Sequence, residues 1–295
     1  MPKEIEVKTI LNKTKRRDPW FLDDYTLNLY SSCSFNCLYC YIRGSKYGEN
    51  LEDSISAKMN AIELLEKQLH LRSKKNQYGI IVVSSATDPY LKLEEQYRLT
   101  RQALELVARY KFSVHIITKS DLVVRDLDIL DEIDKTAIIP SDLQGKLKRG
   151  TIISFSFSTL NDRTAKIFEP GETSPSARLE ACKAVKENGF LSGISLMPLI
   201  PYISDTTENL HLFFKTFKEL NADYVMPATI TLFGNDKSDS KTLVLNAIKK
   251  HFPELQDKYE KLFNNSNELP YYYRKAFYEK MKELSREYGM KDRII

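Results

Sequence analysis

Three of the four cysteines in this 295-residue chain lie within eight residues, as Cys33, Cys37 and Cys40 in a C-x3-C-x2-C array. Thiolates this close repel one another unless a soft metal neutralises them, so the array favours a metal site. A disulfide framework is disfavoured because the cysteine count is low for so long a chain. A chance cluster of structural cysteines is the remaining interpretation without a metal.

The number of clustered cysteines separates two kinds of metal site. A closed structural zinc site needs four ligands, whereas a four-iron cluster held by three cysteines keeps one iron open for a further ligand. The iron–sulfur interpretation is therefore preferred and zinc is the alternative. A fourth zinc ligand would have to come from residues without the usual zinc spacing to Cys40, namely His70, His115, His211, His251 or Cys182. Cys182 itself is predicted to be a small buried apolar residue in a helix.

Composition and charge limit the function classes. The chain contains no apolar run of the ~18–20 residues that cross a bilayer, and its first six residues lack the apolar core of a signal peptide. We expect no membrane association and a cytoplasmic protein, because a reducing compartment suits free thiolates that hold iron. The formal net charge of +4 permits nucleic-acid binding but does not argue for it.

Apolar runs rich in Val, Ile and Phe alternate with stretches of helical period. The runs predict buried parallel strands at 25–29, 79–85, 113–118, 151–157, 193–197 and 224–226. Helical patterns cover 56–71, 94–110, 175–188 and 206–220. Six strand–helix units predict an α/β fold in which a parallel sheet curls into a partial (β/α)6 barrel similar to a TIM barrel.

The strand pattern stops after Leu232, and the remaining sequence is typical of helices at 238–250, 253–263 and 269–288. We therefore predict an N-terminal extension at 1–24, a core barrel at 25–232 and a helical C-terminal extension at 233–295 that packs on the core as a cap.

Polar residues that could carry chemistry follow the ends of successive predicted strands. The cysteines follow the first strand, Thr87 follows the second, Lys119 ends the third, and Ser156 lies near the end of the fourth. In barrel-like parallel folds these carboxyl ends form one functional face. Residues far apart in sequence are thus expected to meet at one mouth.

The cysteine array, with the aromatic Tyr39 before its third cysteine, resembles the radical S-adenosylmethionine (SAM) superfamily. Further segments resemble the branch that contains spore photoproduct lyase, in the same order between about Tyr25 and about Pro201. These segments are Ser-Ala-Thr-Asp-Pro-Tyr at 85–90, Ile-Thr-Lys-Ser-Asp at 117–121, Phe-Ser-Phe-Ser at 155–158, and Phe-Glu-Pro-Gly at 168–171 followed by Ser-Pro at 174–175.

This resemblance implies an enzyme with two cofactors. Cys33, Cys37 and Cys40 would bind three irons of a [4Fe–4S] cluster, and SAM would chelate the fourth. One electron, from a donor such as flavodoxin or ferredoxin, would then cleave SAM to methionine and a 5′-deoxyadenosyl radical. This radical would abstract hydrogen from a substrate that the sequence does not identify.

The resemblance also assigns SAM contacts. Lys119 matches a strand-end lysine suited to the SAM carboxylate, and Ser156 matches a SAM-contacting serine of the fourth strand. Thr87 is the expected hydroxyl contact, where many superfamily members carry Gly-Gly-Glu for the methionyl amine. Tyr39 would present its backbone and ring to the adenine. Judged without the resemblance, the same residues are compatible with ordinary strand ends and a packing aromatic.

Two further residues are candidates for catalysis, each with a structural alternative. Tyr41 could belong to a hydrogen-atom relay or could be a packing residue. Glu169 could line the substrate side of the mouth, but the following Pro-Gly pair is equally typical of a structural turn.

The substrate is the least determined part of the prediction. Spore photoproduct lyase carries a hydrogen-donating cysteine near the end of its second strand, where this chain has Ser85 and Ala86, and its basic DNA-contacting hairpin has no clear counterpart. The tail offers Tyr-Tyr-Tyr-Arg-Lys at 271–275, which could stack on nucleic acid or simply pack. The alternatives are a photoproduct-lyase-like or nucleic-acid base-modifying enzyme, and a non-enzymatic metal-bearing nucleic-acid-binding module.

Overall fold

The computed structural model describes residues 3–45, 55–264 and 266–295. Its strands are β1 (Lys3–Ile5), β2 (Leu11–Lys13), β3 (Tyr25–Leu27), β4 (Tyr30–Ser31), β5 (Ser56–Lys58), β6 (Ile80–Val83), β7 (Ser113–Thr118), β8 (Thr151–Ser156), β9 (Leu191–Leu199) and β10 (Val225–Thr229). Its α-helices are α1 (Ala61–Lys74), α2 (Glu94–Tyr97), α3 (Leu99–Arg109), α4 (Leu127–Thr136), α5 (Asp162–Phe168), α6 (Pro175–Glu187), α7 (Thr207–Glu219), α8 (Ser240–His251), α9 (Gln256–Phe263) and α10 (Tyr271–Glu287).

Seven strands form the main sheet in the order β10-β9-β8-β7-β6-β3-β2. The six strands from β3 to β10 in this sheet are parallel, and β2 adds an antiparallel edge. Every residue of β6 and β8 is buried, as expected for strands covered on both faces. In the described chain β2 and β10 are the two edges and do not pair, so the α/β partial barrel predicted from the sequence is confirmed.

Two predicted helices differ from the observed elements. The 56–71 pattern begins with β5, which pairs with β1 and β4 in a separate three-stranded sheet, and the helix starts only at Ala61. The 94–110 pattern is divided at Arg98, which has a left-handed φ of 51°. This turn places the buried Glu94 carboxylate at the start of α3, where it accepts the backbone amide of Thr100 at 3.0 Å. Tertiary burial and capping thus override local helical periodicity.

A polar chain fills the interior of the barrel below its mouth. Nδ1 of His115 lies 2.8 Å from the Phe21 carbonyl oxygen, and its Nε2 lies 2.7 Å from Oγ of Ser154. Ser154 in turn lies 2.6 Å from the hydroxyl of Tyr224. Because both ring nitrogens of His115 are engaged in this way, the residue is not free to act as the fourth zinc ligand. Burial lowers the pKa of His115 to about 4, so the ring is neutral near pH 7.

The C-terminal helices pack on the barrel. Phe277, Met281 and Leu284 are the buried residues of α10, which contacts α7 and β10. The Val225 amide of β10 also donates to the Lys291 carbonyl at 2.8 Å. The domain boundaries stay predictions, and Met1 and Pro2 of the predicted extension lie outside the described residues. Cys182 is fully buried in α6, as its helical context predicted. No helix in the described ranges is both long and apolar enough to cross a membrane.

The neutral, buried His115 makes folding stability depend on pH. Between about pH 6.5 and 4 the unfolded chain takes up a proton on this ring while the folded protein does not, so stability falls as the pH falls. We expect the free energy of unfolding, measured with urea, to fall by about 2 kcal/mol between pH 7 and pH 5. This fall should be absent in the His115→Gln variant. The exposed His251→Gln variant is the control and should keep the wild-type slope; an unchanged slope in His115→Gln would contradict the assignment.

Candidate iron–sulfur and SAM site

The cysteine loop follows β3 and β4 at the carboxyl end of the parallel sheet. Cys37 is buried, whereas Cys33 and Cys40 are partly exposed. Within the loop the Cys40 amide donates to the Cys37 carbonyl at 3.3 Å, and Asn36 takes a left-handed φ of 56°. The backbone of the loop therefore turns back on itself between Cys37 and Cys40.

The turn after α5 braces this loop. The Gly171 amide donates to the Phe35 carbonyl at 3.0 Å, and the Leu38 amide donates to the Phe168 carbonyl at 2.8 Å. A Cβ atom on Gly171 would lie 2.4 Å from the Ser34 carbonyl oxygen, so only glycine allows this approach. The Pro-Gly pair thus has a structural function, as one of the two sequence interpretations proposed.

The surroundings of the three thiols affect how readily they lose their protons. Burial, and then the charge of Asp88, raises the pKa of Cys33 to about 12, and burial together with Glu172 raises the pKa of Cys37. Metal binding would displace the protons that these thiols otherwise keep. No three His, Cys, Asp or Glu side chains of the described residues converge on one point as a zinc ion requires. A four-iron cluster would take one thiolate on each of three irons.

Lys119 and Ser156 come together on the inner face of the barrel. Ile117 of β7 lies opposite Ser154 of β8, and Lys119 and Ser156 each follow two residues later on the same face. Lys119 is fixed through its backbone amide, which donates to Asp88 at 2.8 Å. Its Nζ lies 5.4 Å from the centre of the Tyr39 ring, which places the lysine beside the cysteine loop.

Thr87 and Asp88 follow β6 and differ in their hydrogen bonding. The Thr87 hydroxyl oxygen is buried and has no hydrogen-bond partner among the described residues, like several other hydroxyl groups of the protein. Asp88 accepts hydrogen bonds from the Tyr90 amide and the Thr118 hydroxyl, both at 2.8 Å, besides that from Lys119. Asp88 therefore joins the ends of β6 and β7.

Glu169 and Tyr39 belong to a buried network. The Tyr39 hydroxyl and the Ser158 hydroxyl both donate to Oε1 of Glu169, and Arg178 forms an ion pair with Oε2. Although burial opposes it, the charges of Arg178 and Lys119 lower the pKa of Glu169 to about 2. Both oxygens of Glu169 are thus occupied by residues that position the cysteine loop, and its catalytic role stays a prediction.

Tyr41 lies at the surface of the cysteine loop. Its side chain is half-exposed, and its hydroxyl donates to the Ser85 carbonyl at 2.7 Å. This bond links the loop to the segment that follows β6. A role of Tyr41 in a hydrogen-atom relay stays a prediction.

Glu172 is a site residue that sequence reasoning missed. Its side chain is only 1 % exposed, Oε1 accepts from the Cys37 thiol, and Nζ of Lys119 lies 3.7 Å away. Oε2 lies 3.5 Å from Arg178 and has no hydrogen-bond partner within the part of the chain that the structure describes. Despite the cost of burial, the charge of Glu172 raises the pKa of Lys119, which therefore stays protonated. The only sequence signal was the position of Glu172 directly after the Glu-Pro-Gly turn.

Comparisons with known proteins agree with this geometry. A family model described as the radical SAM superfamily matches residues 27–214. The chain is 23% identical to an uncharacterized protein of Mycobacterium tuberculosis over 273 residues, which cover 90% of this chain and 75% of the relative. It is also 23% identical over 181 residues to a radical SAM Nalpha-GlyT isomerase of Pseudomonas phage M6, covering 61% of this chain and 34% of that protein.

Among solved structures, spore photoproduct lyase complexed with dinucleoside spore photoproduct superposes with a TM-score of 0.67. The alignment covers 97% of this chain and 78% of the lyase at 14% sequence identity. At this identity the likeness shows a shared fold.

The close approach at Gly171 predicts a specific effect of adding one methyl group. Gly171→Ala should displace the cysteine loop, lower the iron bound after anaerobic reconstitution and destabilise the fold by about 1–3 kcal/mol. Gly145→Ala is the control, because Gly145 has a left-handed φ of 80° but no neighbour for its Cβ. It should lose some stability and keep its iron. Full iron loading and unchanged stability of Gly171→Ala would show that the brace is unimportant.

Proposed function

The chain belongs to the radical SAM superfamily, and on that premise we propose that it cleaves SAM reductively and uses the resulting radical to abstract hydrogen from a substrate. Cys33, Cys37 and Cys40 would hold a [4Fe–4S] cluster, which supplies the electron that breaks a carbon–sulfur bond of SAM and so generates the 5′-deoxyadenosyl radical. A one-electron donor such as flavodoxin or ferredoxin would serve as partner.

One observation carries this proposal: the cysteine loop lies at the same end of the barrel as residues suited to SAM. Lys119 can bind the carboxylate, the unpartnered hydroxyl of Thr87 can bind a polar group, and Ser156 lies beside Lys119 on the inner face. The hydroxyl of Tyr39 donates to Glu169, and its ring lies near Lys119. We therefore propose that Tyr39 contacts the adenine of SAM mainly through its backbone. We propose Tyr41 as the residue that could exchange a hydrogen atom at the open edge of the site.

The residues around the site would also exclude water. Glu169, Arg178 and Ser158 are buried, and Arg178 and Ser158 each bond to Glu169, so these residues would close the side of the mouth next to α6. A radical confined by fixed, buried groups attacks the bound substrate and not the solvent. The same packing fixes the direction in which the radical is formed.

A second candidate is an enzyme that modifies bases in nucleic acid. Tyr271 and Tyr272 are 73% and 68% exposed, whereas packing tyrosines would be buried. Tyr273 next to them donates to Asp205 at 2.7 Å, in the loop after β9, so the exposed rings lie at the mouth end of the barrel. Exposed aromatic rings beside cations such as Lys275 suit base stacking.

The narrower alternatives have less support. Photoproduct repair would need a hydrogen donor where the chain has Ser85 and Ala86. A non-enzymatic metal-bearing nucleic-acid-binding module would not require Lys119 paired with the buried Glu172 beside the cysteines.

The central experiment uses anaerobically reconstituted protein with dithionite and SAM. Wild-type protein should bind about four iron and four sulfide and release 5′-deoxyadenosine, measured by liquid chromatography. Cys33→Ala, Cys37→Ala and Cys40→Ala should each lose cluster and product. Cys182→Ala is the matched control and should keep both. A colourless protein that holds one tightly bound zinc and forms no 5′-deoxyadenosine would contradict the proposal.

The second candidate is tested with a fluorescent single-stranded oligonucleotide. Replacing Tyr271 and Tyr272 together by Ala should weaken binding, seen as fluorescence anisotropy, by about 1–3 kcal/mol per stacked base. Tyr278→Ala serves as the control, because Tyr278 lies on the same helix but is only 38% exposed. Binding that is undetectable in the wild type, or equal in all variants, would rule out nucleic acid as the substrate of this second candidate.

A further inference from the structure

Two adjoining cavities lie beside the C-terminal half of α10, with volumes of about 220 and 490 Å³. They share four lining residues and so form one depression, which we call the α10 groove. The chain after α10 turns back at Gly289, which has a left-handed φ of 61°, and then runs beside the end of the helix. The groove is the space between this returning segment, the helix and the N-terminal extension.

The groove is remote from the cysteine loop. The carbonyl of Lys291, which lines the groove, accepts the amide of Val225 at 2.8 Å, and Val225 is the first residue of β10. The cysteine loop lies at the carboxyl ends of the strands, whereas Val225 marks the amino end of its strand. A ligand in the groove would therefore occupy a site separate from the one described above.

Positive charge dominates the α10 groove. Asp292 is the only acidic side chain among its lining residues in the described chain, and it pairs with Arg293 at 2.9 Å. The other lining cations form no ion pair within the described residues: Lys282, Arg286 and Lys291. All three are exposed, and Lys282 and Arg286 share a face of α10 because they are four residues apart. The groove thus has an excess of positive charge that suits an anion.

The smaller cavity has a flat apolar end. Pro19, Trp20 and Pro227 line it, and Trp20 packs against the core cluster that contains Leu22 and Met226. This packing holds the indole in place beside the cavity. An aromatic ring that is held in this way suits stacking by a second planar ring.

The two ends of the groove are close enough to serve one ligand. Lys282 and Arg293 line the smaller cavity together with Trp20, and they also line the larger one with Arg286. The hydroxyl oxygen of Ser285, which lines both cavities, is buried and has no hydrogen-bond partner in the described chain, so it is available to a ligand.

We propose that the α10 groove binds a nucleotide, with its base on Trp20 and its phosphate among Lys282, Arg286 and Arg293. The guanidinium groups match phosphate oxygens in geometry and charge. A carboxylate or inorganic phosphate would use only the cations, and an uncharged aromatic compound would use only the Trp20 end. This inference goes beyond the proposed function and does not depend on it.

Trp20 is the only tryptophan in the sequence, so its fluorescence reports on this cavity directly. Reconstituted wild-type protein is titrated with AMP, adenosine and inorganic phosphate, with excitation selective for tryptophan. AMP should quench the fluorescence to saturation, because adenine stacks on the indole. Adenosine should quench with an affinity about 10- to 100-fold lower, as expected for lost charge-assisted contacts. Inorganic phosphate should compete with AMP and restore the fluorescence.

The absence of quenching by AMP, or equal affinities for AMP and adenosine, would overturn the inference. Equilibrium dialysis with radiolabelled AMP is the second measurement. Binding by dialysis without a response of Trp20 would place the nucleotide elsewhere and would also overturn the inference.

Lys282→Gln and Arg286→Gln test the recognition of phosphate. Each should weaken AMP binding about 10-fold and leave the affinity for adenosine unchanged. Lys275→Gln is the matched control, because Lys275 is a cation of the same helix whose side chain is 59% exposed and does not line the groove. It should bind AMP as the wild type does. Equal losses for AMP and adenosine in the two groove variants would contradict a specific contact with phosphate.

A free nucleotide and the end of a single strand present the same chemistry to the groove. A pentanucleotide of deoxyadenylate, compared with AMP in the same Trp20 assay, distinguishes these two sources. Tighter binding of the pentanucleotide would identify a strand, and equal affinity would identify a free nucleotide. Either result supports the inference, whereas a failure of both ligands to quench Trp20 would overturn it.

Discussion

Four ionisable side chains at the mouth of the barrel, the partly exposed Lys119 and the buried Glu169, Glu172 and Arg178, hold the site together. Arg178 pairs with Glu169 and lies 3.5 Å from Glu172, and Glu172 faces Lys119. Burial raises the pKa of Glu172 well above its usual range, so the two cations face one firmly ionised carboxylate, Glu169, and one carboxyl group that holds a proton more readily. Removal of Arg178 or Glu169 would leave a buried charge without compensation. The network also reaches the cysteine loop through the hydroxyl of Tyr39 and the thiol of Cys37. The position of the thiols therefore depends on this charge balance.

The parallel sheet explains why residues from distant segments meet at this network. Each strand delivers its following loop to the same edge, so β6, β7 and β8 bring Thr87, Lys119 and Ser156 to neighbouring positions. The turn after α5 then closes over the cysteine loop, with Gly171 in direct contact with it. The barrel brings the carboxyl ends of the strands together. The cysteine loop and the turn after α5 add the thiols and the carboxyl groups at that end.

Much of this arrangement could be predicted from the sequence. All six parallel strands were found by their apolar runs, and β7 matched residue for residue at Ser113–Thr118, because buried strands carry a strong local signal. The cysteine spacing predicts the donor set for a metal cluster, and that assignment stays a prediction. The break at Arg98 was not predictable, because it depends on Glu94 capping the next helix through a tertiary contact. Glu172 was missed for the same reason, since its partner Cys37 lies 135 residues away in sequence.

Electron paramagnetic resonance of the reduced, cluster-loaded protein, recorded with and without SAM, tests the central claim most directly. If SAM binds the open iron of a three-cysteine cluster, the signal should change shape when SAM is added. SAM whose amine carries ¹⁵N should also give nitrogen hyperfine coupling. A reduced protein whose spectrum is identical with and without SAM would contradict the claim.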